Sequence, residues 1–489
     1  MKFPNLILIF LSVIILGSCK KGTPIDNTYP ETTIAISQIN LSGQNRLESI
    51  ITLNWSGYDA NGYIVAYEIS FDGQTWQNVG DKEDSTFTFL LGQGQDSVDI
   101  NFYVRAVANN GMVDPTPAYL KIPIKDTPPT VSISKPSSDT AYAVLSISWN
   151  ATDIEGNQAI DSFYIKINSG KWFALSNQVN LVTFVPIDPT TSGAIAAKVY
   201  TNTTATLLSQ QIQGLLLNDT NRVYVKAKDI SGEYSNTDST QAIYVKSKTS
   251  ELLVIGADAN IYRGVPSPFS VYTPILSSVY GNFDYIQMNI TTGQNIPQYW
   301  NPTFTSYVSL YDKVFIYCDA DSNKLQHQLL LELAASSFQV FLNKGGKLLI
   351  SAPLPQALHS TSDLPQLLPL DSIPSVSAYG TPRVSAGALA TPDSINAIGY
   401  PTLKALANLQ QASPFYPQQT AYVMYNGQFN KGGRPVIPWQ GPIVVCAKTV
   451  NQGGNTNLIY FSIELHTYDG DNNALQQLFS QIMKNDFNW

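Results

Sequence analysis

The sequence predicts a multidomain protein in which two all-β sandwiches are followed by an α/β domain with a mainly parallel sheet. Three observations predict it. The first half contains an internal repeat, both copies consist of short alternating apolar runs, and beyond residue 250 the runs become continuous and alternate with a helical period.

The repeat pairs Ile51-Thr-Leu-Asn-Trp55-Ser-Gly-Tyr-Asp59-Ala-Asn-Gly62 with Leu145-Ser-Ile-Ser-Trp149-Asn-Ala-Thr-Asp153-Ile-Glu-Gly156, with Trp, Asp and Gly at equal spacing. Tyr67 to Trp76 then matches Tyr164 to Trp172, and Tyr103-Val-Arg-Ala106 matches Tyr224-Val-Lys-Ala227. Alternating apolar residues bounded by Gly, Asn, Asp and Pro form antiparallel strands with one buried face, so each copy is expected to be a sandwich with Trp55 and Trp149 in its core. These features resemble fibronectin type III and related immunoglobulin-like modules over residues 34 to 247. That resemblance implies a scaffold and is almost silent on function.

The second copy is longer between its landmarks, and residues 178 to 215 are expected to hold the extra loop or strand. Asp59-Ala-Asn61-Gly62 and Asp153-Ile-Glu155-Gly156 look superficially like calcium loops. The full twelve-residue ligand pattern is absent, and Asp and Asn also favour tight turns, so no metal is assigned.

After residue 250, Leu252 to Ile255, Phe283 to Met288 and Lys313 to Cys318 read as strands buried on both faces. A helix is expected from about Ser322 to Asn343, stopped by Gly345-Gly346, with a strand from Lys347 to Ser351 directly after it. Leu458 to Ile463 and a last helix complete the pattern. This skeleton, Asp-x-Val followed by an apolar strand, a helix and Gly-Gly-Lys-Leu-Leu-Ile, resembles class I glutamine amidotransferase-like domains, which are flavodoxin-like, over residues 250 to 489. In catalytic members the strand after Gly-Gly presents a cysteine nucleophile. Here that place reads Ile350-Ser351-Ala352-Pro353, so the resemblance implies a domain lacking that nucleophile.

Catalytic candidates are therefore weak: Ser351 as nucleophile, His466 as base, and Glu464 or Asp469 to orient it. Asp258, Asp319 and Asp321 follow strands at the carboxyl edge, where open parallel sheets bind ligands, and are candidates for a cation or sugar hydroxyls. Asp321 is equally readable as the cap of the following helix. No Gly-x-Gly-x-x-Gly spacing follows the first strand, His327 and His359 join no metal spacing, and no cofactor is expected. Cys318 and Cys446 read either as one disulfide or as two buried thiols. Residues 353 to 440, rich in Pro, Gly, Ser and Tyr, are expected to cover the sheet edge.

The chain opens with Met1-Lys2, runs apolar from Phe3 to Leu16 and ends this stretch in Leu16-Gly17-Ser18-Cys19. Such a segment is a secretory h-region, too short to span a bilayer. Leu-Gly-Ser-Cys resembles the lipobox of bacterial lipoproteins, which implies cleavage after residue 18 and acylation, palmitate included, at Cys19. Residues 19 to 33 then form a tether, residues 34 to 126 and 127 to 247 the two sandwiches, and Lys20 favours outer-membrane sorting. The whole chain's balance of 28 basic to 36 acidic residues, with no Lys/Arg cluster beyond the tether, argues against nucleic acid as a partner.

Asp-Ser/Thr triplets at Ser85, Ser97, Thr140, Ser239, Ser372 and Ser394 resemble an O-glycosylation sequon of Bacteroidetes-type bacteria, and equally a common turn pair. The expected function is a non-catalytic envelope lipoprotein that binds a glycan or an envelope protein. The alternative is an envelope hydrolase with an unconventional serine or acid site.

Overall fold

In the computed structural model, the residues described are 26–35, 45–136, 138–258, 265–318, 324–325, 328–355, 358, 362–409, 412–470 and 473–488. Cys19, Asp319, Asp321, His327 and His359 lie outside them.

The first sandwich pairs a three-stranded sheet with a four-stranded one. Glu31–Ile34, Ile50–Tyr58 and Asp84–Thr88 form the first sheet, and Gln77–Gly80, Ile64–Ser70, Ser97–Ala108 and Ala118–Lys125 lie side by side in the second. Alternation does the work: along Ser97–Ala108, Phe102, Val104, Ala106 and Ala108 point inward and are buried. Trp55 lies against Tyr67 and Phe102, with centroids 6.3 and 5.8 Å away, and its indole N–H donates to the Lys82 carbonyl at 2.9 Å. The core reading of Trp55 holds, and so does that of Trp149, which is 1% exposed.

The second copy repeats the central strand order, with Thr130–Ile133, Leu145–Thr152 and Leu181–Pro186 adjacent in one sheet. Its extra residues are strands: Gly193–Thr201 and Thr206–Leu217 pair antiparallel and extend that sheet beyond Leu181–Pro186. An inserted hairpin satisfies its backbone groups by joining an edge, which a long bare loop could not do.

The C-terminal sheet has nine strands. In chain order these are β1 (Leu252–Ala257), β2 (Asp284–Gln287), β3 (Lys313–Cys318), β4 (Lys347–Ser351), β5 (Leu389–Pro392), β6 (Leu403–Lys404), β7 (Tyr422–Gly427), β8 (Val444–Val450) and β9 (Thr456–Phe461). Their spatial order is β2-β1-β3-β4-β9-β8-β7-β5-β6. Strands β2, β1, β3, β4 and β9 run parallel, whereas β8, β7, β5 and β6 are joined by antiparallel ladders. The sheet is thus mixed, where a mainly parallel one was expected. Residues 353 to 440, expected as a cover, instead supply β5, β6 and β7, because the β8–β9 hairpin leaves an edge on which further strands can pair.

Helices α1 (Pro268–Val279), α2 (Leu330–Asn343) and α3 (Ala474–Gln481) flank the parallel half. Leu253, Ile255, Val314, Ile316, Leu348 and Ile350 face the side of α2, and Leu252, Val254, Phe315, Tyr317 and Leu349 face the side of α1 and α3. Cys318 lies on the first face and Cys446 on the second, both buried and not joined by a disulfide. Helix α2 starts later than its apolar period suggested. A short β-ladder, Lys324–Leu325 with Gln328–Leu329, precedes it, and its N-cap is Leu329, whose N–H donates to Glu332 at 2.7 Å. Gly345 at φ +91° ends α2 as expected.

By contact density the chain forms two units. One comprises Met1–Thr130, Ala151–Asp161 and Ala227–Ser235, and the other Val131–Asn150, Ser162–Lys226 and Asn236–Trp489. In the second unit, sandwich residues Val144 and Val185 share one core with β1, β3 and α2, and Ser146 lies 2.6 Å from Thr303 and 2.7 Å from Thr183. Most of the second sandwich and the α/β domain are thus packed as one body.

Candidate functional site

The carboxyl ends of β1, β2, β4 and β9 bring together Asp258, Gln287, Ser351 and His466, joined there by tyrosines from α1, β2 and β3. Ser351 ends β4 and is 1% exposed. Its hydroxyl donates to the Ile463 carbonyl at 2.9 Å and accepts from the Leu465 N–H at 3.1 Å. Those two bonds use its one proton and pin the segment after β9 to the end of β4.

His466 is buried, and its backbone N–H donates to the Tyr272 hydroxyl at 2.8 Å. Burial pushes the imidazole down to about 4, against the opposing pull of the Asp258 charge, so the ring is neutral at pH 7. Its Nε2 is 4.0 Å from Glu464 Oε2, beyond hydrogen-bond range. Asp469 accepts from the Leu475 N–H at 3.2 Å, and burial raises its carboxyl. No hydrogen bond joins Ser351 to His466. The residues considered as a catalytic set are neighbours in space, but their bonds serve the backbone.

Beside them, Gln287 donates to Asp258 Oδ1 at 2.9 Å and to its carbonyl at 3.2 Å, Tyr285 donates to Gln287, and the Tyr285 and Tyr317 hydroxyls are 3.0 Å apart. Burial raises both phenols, Tyr285 to about 12. Asp258, a ligand candidate, is thus 3% exposed and held by Gln287. Tyr272, Tyr285, Gln287 and Tyr317 were missed from sequence, because tyrosine in an apolar helix or strand reads as core and only the packing and register bring these polar groups together. Gly256 makes room for them: a Cβ there would lie 2.4 Å from Gln287 Oε1 and 2.6 Å from the Tyr285 and Tyr317 hydroxyls. Gly256→Ala is expected to destabilise the protein by about 1–3 kcal/mol in urea unfolding, since none of these groups can retreat without breaking its bond.

The arrangement is a polar knot at the ends of five strands, β1, β2, β3, β4 and β9. Among the described residues, no three acid, histidine or cysteine side chains converge on one metal position.

The strand order makes the N-terminal part fibronectin type III-like in fold, followed by an α/β body with a mixed sheet. No family model matches the chain. A Kelch domain-containing protein of Sulfurisphaera tokodaii is 25% identical over 234 residues, which are 47% of this chain and 31% of that protein, so the chain spans about a third of its length. Similar solved structures include fibronectin(III)-like modules of Clostridium thermocellum CbhA, at 16% identity and TM-score 0.17 over 44% of this chain and 94% of that one. A two-domain fibronectin type III segment of chicken tenascin reaches 12% and 0.22 over 45% and 99%. The sandwich assignment rests on the strand pairings themselves.

Proposed function

We propose that this chain is a cell-envelope lipoprotein, anchored through acylated Cys19 and sorted to the outer membrane, whose sandwich modules carry an amidotransferase-like α/β domain that binds or scaffolds an envelope component. The observation that carries the non-catalytic part of this reading is Ser351: its hydroxyl is buried and bonded to the Ile463 carbonyl and the Leu465 N–H. A nucleophile needs a free approach and a base in reach. His466 offers no hydrogen bond to Ser351, and burial keeps it neutral. A glycan or an envelope protein is the partner class to be tested.

Two measurements test this. Radiolabelled palmitate is expected to enter the wild-type protein in bacterial cells and not Cys19→Ala, which should leave the membrane fraction. Label retained by Cys19→Ala would remove the anchor. For the alternative, an envelope hydrolase, Ser351→Ala is the decisive variant. It is expected to cost about 1–3 kcal/mol of stability by stranding the Leu465 N–H and the Ile463 carbonyl, and to leave turnover of amide, ester and glycoside substrates at background in both proteins. Turnover by the wild type that Ser351→Ala abolishes would establish the hydrolase.

A further inference from the structure

The two sandwiches differ on the outward face of their four-stranded sheets. In the first, the register sets Glu68 opposite Arg105 and Ser70 opposite Tyr103. The Arg105 guanidinium lies 3.9 Å from the Trp76 ring centroid and 2.7 Å from Glu68, so its charge is balanced within the module. The match of Tyr103-Val-Arg-Ala106 with Tyr224-Val-Lys-Ala227 puts Lys226 at the place of Arg105, and Trp172 lies 5.0 Å from its ammonium as the counterpart of Trp76. Glu68 has no acidic counterpart. Tyr164 holds its place, 5.6 Å from the Lys226 ammonium, and Lys166 holds that of Ser70, 4.9 Å from the Tyr224 ring and 5.0 Å from Trp172.

Strand geometry turns these substitutions into a patterned surface. Ile160–Ile167 lies between Phe173–Ser176 and Val223–Asp229 in the sheet. Tyr164 and Lys166 alternate with buried Phe163 and Ile165, and Tyr224 and Lys226 with buried Val223 and Val225, so all four share the outward face. Pairing of Phe173 with Ile165 brings Trp172, which is 37% exposed, alongside Lys166. Rings and ammoniums thus alternate both along the strands and across them, at a strand spacing of roughly 4.8 Å. The outward positions around them are Ser162, Ala174, Ser176 and Ser239, none of them acidic. Arg222, exposed at the outward position before Tyr224, adds a third cation and donates to the Thr240 carbonyl at 3.1 Å. In a chain of net charge −8 this is a local excess of positive charge.

An ammonium over a ring still has N–H groups for a second partner, and a carboxylate is the partner that binds them most strongly. The exposed rings, for their part, offer flat apolar surface, which suits the C–H face of a sugar. We propose that this face of the second sandwich binds an acidic glycan, a polymer whose sugar rings carry carboxylates: Trp172, Tyr164 and Tyr224 meet the rings, and Lys166, Lys226 and Arg222 the carboxylates. A repeating polymer suits a repeating surface, because each further sugar binds as part of a chain already held. A neutral glycan leaves the cations without a countercharge, and a polyanion without sugar rings leaves the aromatic surface unused. The site rests on the envelope reading only for where such a glycan is met. Glycan binding and palmitate labelling are separate measurements, so either reading can fail alone.

The test is titration of the mature chain with a short oligogalacturonate, followed by tryptophan fluorescence and by calorimetry. Saturable binding with a Kd below about 1 mM is expected, weakening severalfold between about 50 and about 500 mM salt. Lys166→Gln and Trp172→Ala should each weaken it by about tenfold, and Tyr164→Glu, which puts back the acid of the first sandwich, by more. Lys166→Gln alters an outward side chain and should unfold at the wild-type temperature, so that its lost binding is not lost fold. Lys198→Gln, exposed on the other sheet, should bind as the wild type does. A neutral galactose oligosaccharide, polyglutamate and a single-stranded oligodeoxynucleotide should each bind weaker by about tenfold or more. No saturation up to about 10 mM oligogalacturonate would overturn the proposal, as would undiminished binding by Lys166→Gln and Tyr164→Glu together. Equal binding of the neutral sugar would remove the role of the cations. Equal binding of polyglutamate or the oligonucleotide would make the face a general polyanion site and overturn the glycan assignment.

Discussion

Phe315→Ala is expected to destabilise the second unit by about 3–5 kcal/mol, the cost of emptying a large aromatic site that its neighbours cannot refill. Phe315 is fully buried at the centre of β3. Its ring lies 5.1 Å from Tyr272, 5.3 Å from Phe479 and 5.7 Å from Tyr317, measured between centroids. Two of those three carry hydroxyls of the polar knot, so the cavity opens beneath the hydroxyl that holds the His466 backbone. Urea unfolding should show the lowered midpoint, and amide exchange at Leu465 and His466 should accelerate beyond what global destabilisation accounts for. A loss below about 1 kcal/mol would mean that the aromatic cluster repacks freely, at odds with the close packing of interiors.

Acid is expected to destabilise the same unit through His466. Its ordinary value near 6.5 falls to about 4 in the fold. Between these values the unfolded chain binds the proton and the folded chain does not, so stability is full above about pH 6.5 and is lost as pH falls toward 4, by roughly 3 kcal/mol for this group. His466→Gln, compared with the wild type at about pH 4.5 and about pH 7.5, should flatten that dependence. The comparison isolates the imidazole from Asp469, whose raised carboxyl acts in the opposite direction. An identical pH dependence in the variant would place the lability elsewhere. Asp126, in the segment after the first sandwich, and Glu155, in the turn after Leu145–Thr152, have the opposite sign as well: burial lifts both to about 7, so they keep their protons longer in the folded state and the first unit loses stability as pH rises from about 4 through about 7.

Local pattern carried much of the architecture. The period-two alternation of Ser97–Ala108, the paired Trp55 and Trp149, and the continuous apolar runs of β1, β3 and β4 are properties of neighbouring residues and need no partner to be read. The start of α2 was misplaced because Leu325 and Leu329 keep the helical spacing while the chain there forms a short β-ladder, a choice made by pairing and not by period. The sites were less legible still. Ser351 and His466 were legible as residue types, but whether a serine attacks or merely ties two strand ends depends on bonds to Ile463 and Leu465, which are more than 110 residues away in the chain.

By itself the sequence determined the repeat, the sandwich class of both copies, the βαβ succession after residue 250 and the absence of a cysteine at the end of β4. Those follow from spacing and side-chain chemistry along a few turns of chain. The tertiary structure alone decided that the sheet is mixed, that Cys318 and Cys446 lie on opposite faces of it, and that Ser351 is spent on backbone bonds. Each of these is a long-range coincidence of groups set by strand order and register. Charge and hydrogen bonding act through space, and only the fold says which distant residues are near.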